Sequence, residues 1–255
     1  MNRSPPQLRI AVLLGIACAT AAAALFPYVL ALQPTALATA SAKMHLPPAA
    51  VVAVQSGASG ILCFLLAWAG LKLGAPLGLG APWLAELTYG RERPRTSNWL
   101  SAIVLGAIAA CVILGAIALF GAPIANSATV PDPVAWKGLL ASPYGGIAEE
   151  IELRVFVMGC LAWLLARATG GAPIAWGMVI AVVTTSVLFG IGHLPLAAQL
   201  GPLTTSIVTR VIVYNALGGL VFGWLYWKRG LEHAMLAHFC ADLAVHAAAP
   251  LAMGG

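Results

Sequence analysis

Glu149-Glu150-Ile151-Glu152-Leu153-Arg154 places three carboxylates and a guanidinium inside a stretch that is otherwise apolar. Charged groups in hydrocarbon cost about 3 kcal/mol each on insertion scales, so they persist there mainly for a reason. Two more polar outliers follow downstream at helical spacing, Phe189 with His193 and His238 with Asp242. Acid, imidazole and carboxylate on three separate apolar segments have the composition of a buried hydrolytic site. A desolvated glutamate holds a proton more readily than an exposed one, and a neighbouring imidazole can share it. Glu149 is the candidate to act on water. Glu150 and Arg154 stand four apart, so the arginine can neutralise and orient that acid. His238 and Asp242 project from one helix face.

The bland alternative is an ion pair that pins helix packing. Glu152 points to another face, either towards the interface or to Arg210. Arg210 and Asn215 have structural readings, because a buried cation seeks a carboxylate and helix contacts use amides as glue. His233 lies at a segment end and is expected to be interfacial. His246, two turns beyond His238, could line a mouth. Glu149, His193 and His238 together could also offer N and O ligands to zinc. No His-Glu-xx-His pattern occurs in the chain, and the preferred chemistry needs no cofactor.

The elements that must position these groups are set by composition. Of 255 residues, 61% are hydrophobic and only 8% charged, with a mean hydropathy of +0.93. Soluble domains carry about 25% charged residues, so water is not the main solvent. Crossing the hydrocarbon takes about 20 apolar residues. Seven stretches qualify: Leu8–Leu32, Ala49–Leu73, Trp99–Phe120, Tyr144–Ala168, Ile174–Ile191, Leu203–Trp227 and Leu231–Ala248. The expected fold is all-α, a polytopic transmembrane bundle of about seven to eight spans around a polar intramembrane cavity. Residues 1–143 supply N-terminal helices and a basic connection, and residues 144–255 supply the catalytic core, within one membrane unit. Pro27 is expected to kink the first span. That span is too long for a signal-peptide core of about 7–15 residues, so it is read as uncleaved. Leu77 to Leu87 is expected to lie along the interface, anchored by Trp83.

Arg3, Arg9, Lys72, Arg91, Arg93, Arg95, Arg167, Lys228 and Arg229 fall on one side, and only Lys43 and Lys137 on the other. The positive-inside rule then puts the N-terminus in the cytoplasm. The net charge of +5 suits topology and anionic headgroups better than nucleic acid. Membrane lipids are the expected surroundings, a bacterial inner membrane the expected location, and a peptide or lipidated protein the expected substrate. The cysteines, Cys18, Cys63, Cys111, Cys160 and Cys240, lack paired or metal-type spacing and read as small buried hydrophobes.

Glu149-Glu150-xxx-Arg154, Phe189-xxx-His193 and His238-xxx-Asp242, in that order on three spans, resemble the CPBP (ABI) family of CAAX prenyl proteases and bacteriocin-processing enzymes. The likeness runs from Tyr144 to His246, through Gly223-Trp224-Leu225-Tyr226 and Leu231-Glu232-His233-Ala234-Met235. It implies an intramembrane endopeptidase in which Glu149 and His193 activate water. His238 and Asp242 would stabilise the oxyanion, with Glu150 and Arg154 in support. The likeness also implies a runner-up, a non-catalytic immunity or scaffold protein of the same fold. Asp242 departs from the asparagine of eukaryotic prenyl proteases and must either be protonated or orient His238. A proton- or ion-coupled transporter also places acids and histidines in spans, but the chain lacks the repeat symmetry common in transporters.

Overall fold

The structure, a computed structural model, describes residues 7–90, 98–123, 134–171 and 175–249. Arg3, Ile174 and the basic cluster Arg91, Arg93 and Arg95 lie outside the described residues. Helices α1 (Leu8–Leu32), α2 (Ala36–Met44), α3 (Pro48–Gly74), α4 (Pro82–Tyr89) and α5 (Trp99–Phe120) precede the motif-bearing part. There follow α6 (Ala135–Tyr144), α7 (Gly159–Ala168), α8 (Ala175–Gly192), α9 (Leu194–Leu200), α10 (Thr205–Arg229) and α11 (Leu231–Leu243). No β-strand occurs among the described residues. The chain is an all-α integral membrane protein.

Five helical stretches are long and apolar enough to cross a bilayer: Leu8–Leu32, Pro48–Leu77, Trp99–Phe120, Ala175–Leu200 and Thr205–Arg229. The two remaining candidate spans carry the acids, His238 and Asp242. Their polarity and altered winding set them apart from the plain apolar spans, and the count of seven to eight stays approximate.

Local signals explain several helix ends. Asn98 caps α5 by accepting the Ser101 N–H at 3.1 Å, and Thr204 Oγ1 caps α10 by accepting from Ile207 N at 3.3 Å. Gly230, at φ +97°, ends α10 and lets α11 begin at the next residue. Pro27 lies inside α1, which continues through it.

α1 packs along α3, α8 along α10, and α11 against α5 and α10. Gly15 and Gly60 make the first contact possible, since a Cβ on either would lie 2.8 Å from the other's carbonyl oxygen. Small residues that let backbones approach are the usual basis of helix association in lipid.

The fourth span departs from the expected pattern. Pro143-Tyr144-Gly145-Gly146 reads as a helix start, yet the chain is helical without a break from Ala135 to Ala168. Between α6 and α7 it widens into π-type winding over Gly145–Glu149 and Ile151–Met158. Pro143 has no N–H for the Leu139 carbonyl, which loosens the ladder where the widening begins. Proline and glycine break helices in water but are tolerated in membrane helices, where neighbours re-satisfy the freed groups. Glu149 therefore sits deep within a helix, and the dipole of a nearby N-terminus is not what accommodates it. The same helix runs across the 143/144 boundary between helical supply and catalytic core.

The connection after α3 forms a short turn at Ala75–Leu77 and then α4. It is tied to the protein interior. Leu84 N–H donates to Glu232 Oε1 at 2.8 Å, and Trp83 lies against Trp99 with ring centroids 5.0 Å apart.

Candidate active site

Glu150 and Arg154 are fully buried, and Arg154 Nε lies 3.4 Å from Glu150 Oε2. Arg154 Nη2 also donates to the Gly219 carbonyl of α10 at 3.4 Å. Its guanidinium lies 5.0 Å from the Phe189 ring centroid and 5.7 Å from that of Phe222. The arginine thus fastens the widened helix to α8 and α10 while balancing the buried acid.

The other Glu150 oxygen, Oε1, lies 2.8 Å from His238 Nδ1. This bond places the ring proton on Nδ1 in the neutral imidazole and leaves Nε2 free. Phe222 stacks on the ring at 4.3 Å and Phe189 meets it edge-on at 5.4 Å. His238 is held on three sides, with Nε2 as its one open position.

That open nitrogen faces two acids, Glu149 Oε2 and Asp242 Oδ1, each at 3.6 Å. The second oxygen of Glu149 lies 3.8 Å from His193 Nε2. His193 is itself oriented by Nδ1, 2.8 Å from the Phe189 carbonyl, and by the edge of the Phe189 ring. Distances of 3.6–3.8 Å are too long for direct hydrogen bonds. They suit groups that converge on a shared water or substrate atom. Glu149, His193 and Asp242 retain 23%, 31% and 22% side-chain exposure, whereas His238 retains 3%. An orienting layer, Glu150 with Arg154, is sealed, and a reactive layer opens outward.

Gly145 is part of this geometry. A Cβ there would collide with Asp242 Oδ2 and come within 3.1 Å of His238 Nε2. The wide winding and the bare glycine together let α11 lie against the acid-bearing helix. Clefts of about 420 Å³ beside Phe120 and Arg210, and about 880 Å³ beside Gln33 and Lys43, lie away from this cluster.

The expected convergence of Glu149, Glu150, Arg154, Phe189, His193, His238 and Asp242 is thus present. Other expectations need correction. His233 is fully buried and stacks on Trp99 at 4.4 Å instead of facing the interface. Arg210 donates to the Ala122 carbonyl at 3.3 Å, and among the described residues it forms no ion pair with Glu152. The amide of Asn215 bonds its own helix at Val211 O, so it is not helix-to-helix glue. Phe222 and Gly219, which hold His238 and Arg154, carry no polar signal that would single them out in sequence. Cys18 and Cys63 are buried as expected, but they are in contact, Sγ to Sγ at 2.8 Å across α1 and α3.

Among the described residues, no group of three or more His, Cys, Asp or Glu side chains is gathered so as to hold a metal ion. The Glu149, His193 and His238 donors do not close on one point, and no step is routed through zinc.

No curated protein and no solved structure matches the chain. Residues 131–244, which contain all seven residues of the cluster, match the family model described as type II CAAX prenyl endopeptidase Rce1-like, and this stretch belongs to that CAAX protease family.

Proposed function

We propose that the protein is an intramembrane endopeptidase that hydrolyses a peptide bond of a membrane-associated or lipidated peptide with water activated by Glu149 and His193. The observation that carries this reading is the placement of one partly exposed carboxylate, Glu149, between the free Nε2 atoms of two oriented imidazoles. Water held there loses a proton to Glu149, with His193 sharing the charge that develops. The oxygen attacks the scissile carbonyl carbon, and the oxyanion forms on the side of His238 Nε2 and Asp242. The proton then passes to the leaving amine as the C–N bond breaks.

Of the two roles open to Asp242, oxyanion donor is preferred over ring orienter. Glu150 already fixes the His238 ring through Nδ1, whereas Asp242 faces the reactive nitrogen. A donor role needs the carboxyl protonated, so that its O–H points at the oxyanion. The chemistry is metal-free on this reading. The protein is placed in a bacterial inner membrane with its N-terminus cytoplasmic. The family description points to prenylated C-terminal tails as the first substrates to try.

The test uses purified protein in liposomes with a panel of farnesylated C-terminal peptides. The wild type should cleave at least one, and Glu149→Gln should lose cleavage while keeping the wild-type unfolding transition. Undiminished cleavage by Glu149→Gln would remove Glu149 from the mechanism. Cleavage by neither protein would shift the reading to immunity or scaffold binding by the same bundle.

A further inference from the structure

α11 ends at Leu243 and continues through a π-type turn, Ala244–Ala248. The turn carries His246, four residues beyond Asp242 and eight beyond His238, on the same side of the rod. Nδ1 of His246 lies 3.1 Å from the Tyr28 hydroxyl of α1. The two rings meet edge to face with centroids 5.6 Å apart. Nε2 makes no bond among the described residues. Glu149, His193 and His238 all lie within electrostatic reach of the ring. Both Tyr28 and His246 fall outside the residues that match the CAAX protease family, 131–244, so the contact belongs to this chain's own surroundings of the site.

We infer that His246, held by Tyr28, is a further catalytic residue that carries the proton from Glu149 to the leaving amine. The inference rests on the protease reading above. In the resting site Nδ1–H donates to the Tyr28 oxygen, and Nε2 presents its lone pair. When water attacks the carbonyl carbon, one water proton goes to Glu149 and the hydroxyl stays on carbon. Glu149 passes that proton to His246 Nε2, making an imidazolium whose charge the Tyr28 oxygen accepts through Nδ1–H. The C–N bond breaks, and the leaving nitrogen takes the Nε2 proton. His246 returns to neutral and Glu149 to carboxylate, so each turnover consumes one water and leaves no net charge on the site. The amine needs this because an unprotonated amide nitrogen is a poor leaving group.

That requirement supplies a test that a packing role would not meet. Two probes of one sequence are compared in liposomes: a farnesylated peptide that the wild type cleaves, and its analogue with a thioester at the scissile bond. A thiolate departs without a proton, so the relay is idle for the second probe. His246→Gln should lower kcat on the amide by about 100-fold while leaving thioester hydrolysis within about threefold of wild type, matching the usual worth of a positioned acid–base group. Tyr28→Phe should show the same selectivity with a smaller loss. Equal losses on both probes, or no loss on the amide, would overturn the relay while leaving the protease reading intact. If the wild type cleaves neither probe, the protease reading falls and the relay with it.

Discussion

Arg154→Met isolates the Glu150–Arg154 pair. The methionine fills much of the arginine's volume but leaves the Glu150 carboxylate fully buried and without its cation. Glu150 Oε1 keeps His238, but Oε2 loses the charge at 3.4 Å. Breaking a buried pair by removing one partner costs about 3–5 kcal/mol, most of it from the charge left behind. The Gly219 carbonyl also loses its donor, adding about 1 kcal/mol. Arg154→Met/Glu150→Gln removes the stranded charge while keeping an oxygen for His238. It should recover at least about 2 kcal/mol relative to Arg154→Met, since groups in contact do not behave additively. The assay is reversible unfolding in mixed micelles by added SDS, followed by the fluorescence of the eight tryptophans, across the four-member cycle. A double variant no more stable than Arg154→Met alone would refute the buried-charge reasoning.

Further outcomes follow from the same geometry. Asp242→Asn supplies an N–H donor without needing a proton and should retain cleavage, whereas Asp242→Ala should lose about 10²–10³-fold in kcat on a cleaved peptide. An inactive Asp242→Asn would return Asp242 to an orienting role. Gly145→Ala should abolish cleavage more than it lowers the unfolding midpoint, because its Cβ meets Asp242 and His238 where they face the substrate. Full activity in Gly145→Ala would contradict the close approach of α11. Dialysis against a strong zinc chelator should leave cleavage unchanged, and loss restored by added zinc would overturn the metal-free mechanism.

Much of this was legible in the sequence because charge in an apolar chain stands out. Glu149, Glu150, Arg154, His193, His238 and Asp242 announce themselves by the expense of placing them in lipid. Helical spacing then pairs Glu150 with Arg154 and His238 with Asp242. The spans were legible for the same reason, and Trp99–Phe120 has the expected bounds. The fourth span was not, because Pro143, Gly145 and Gly146 signal a break in water, and only packing against α11 reveals why the helix continues. Nor could spacing reveal partners on other helices. Glu150 bonds His238 across 88 residues, and Tyr28 bonds His246 across 218. His233 was misplaced because a histidine at a segment end usually meets water, whereas the rings of Trp83 and Trp99 build it into the protein. Glu232, capping α4 from α11, was invisible for the same reason.

The central claim is that Glu149 activates water to cut a peptide bond. Its most direct test compares peptide termini in host membrane and secreted fractions from cells making the wild type or Glu149→Gln at matched levels. The account predicts new termini present with the wild type and absent with the folded variant, at a position the site can reach from the membrane. Identical termini in both strains, with a wild-type phenotype preserved in Glu149→Gln, would contradict it.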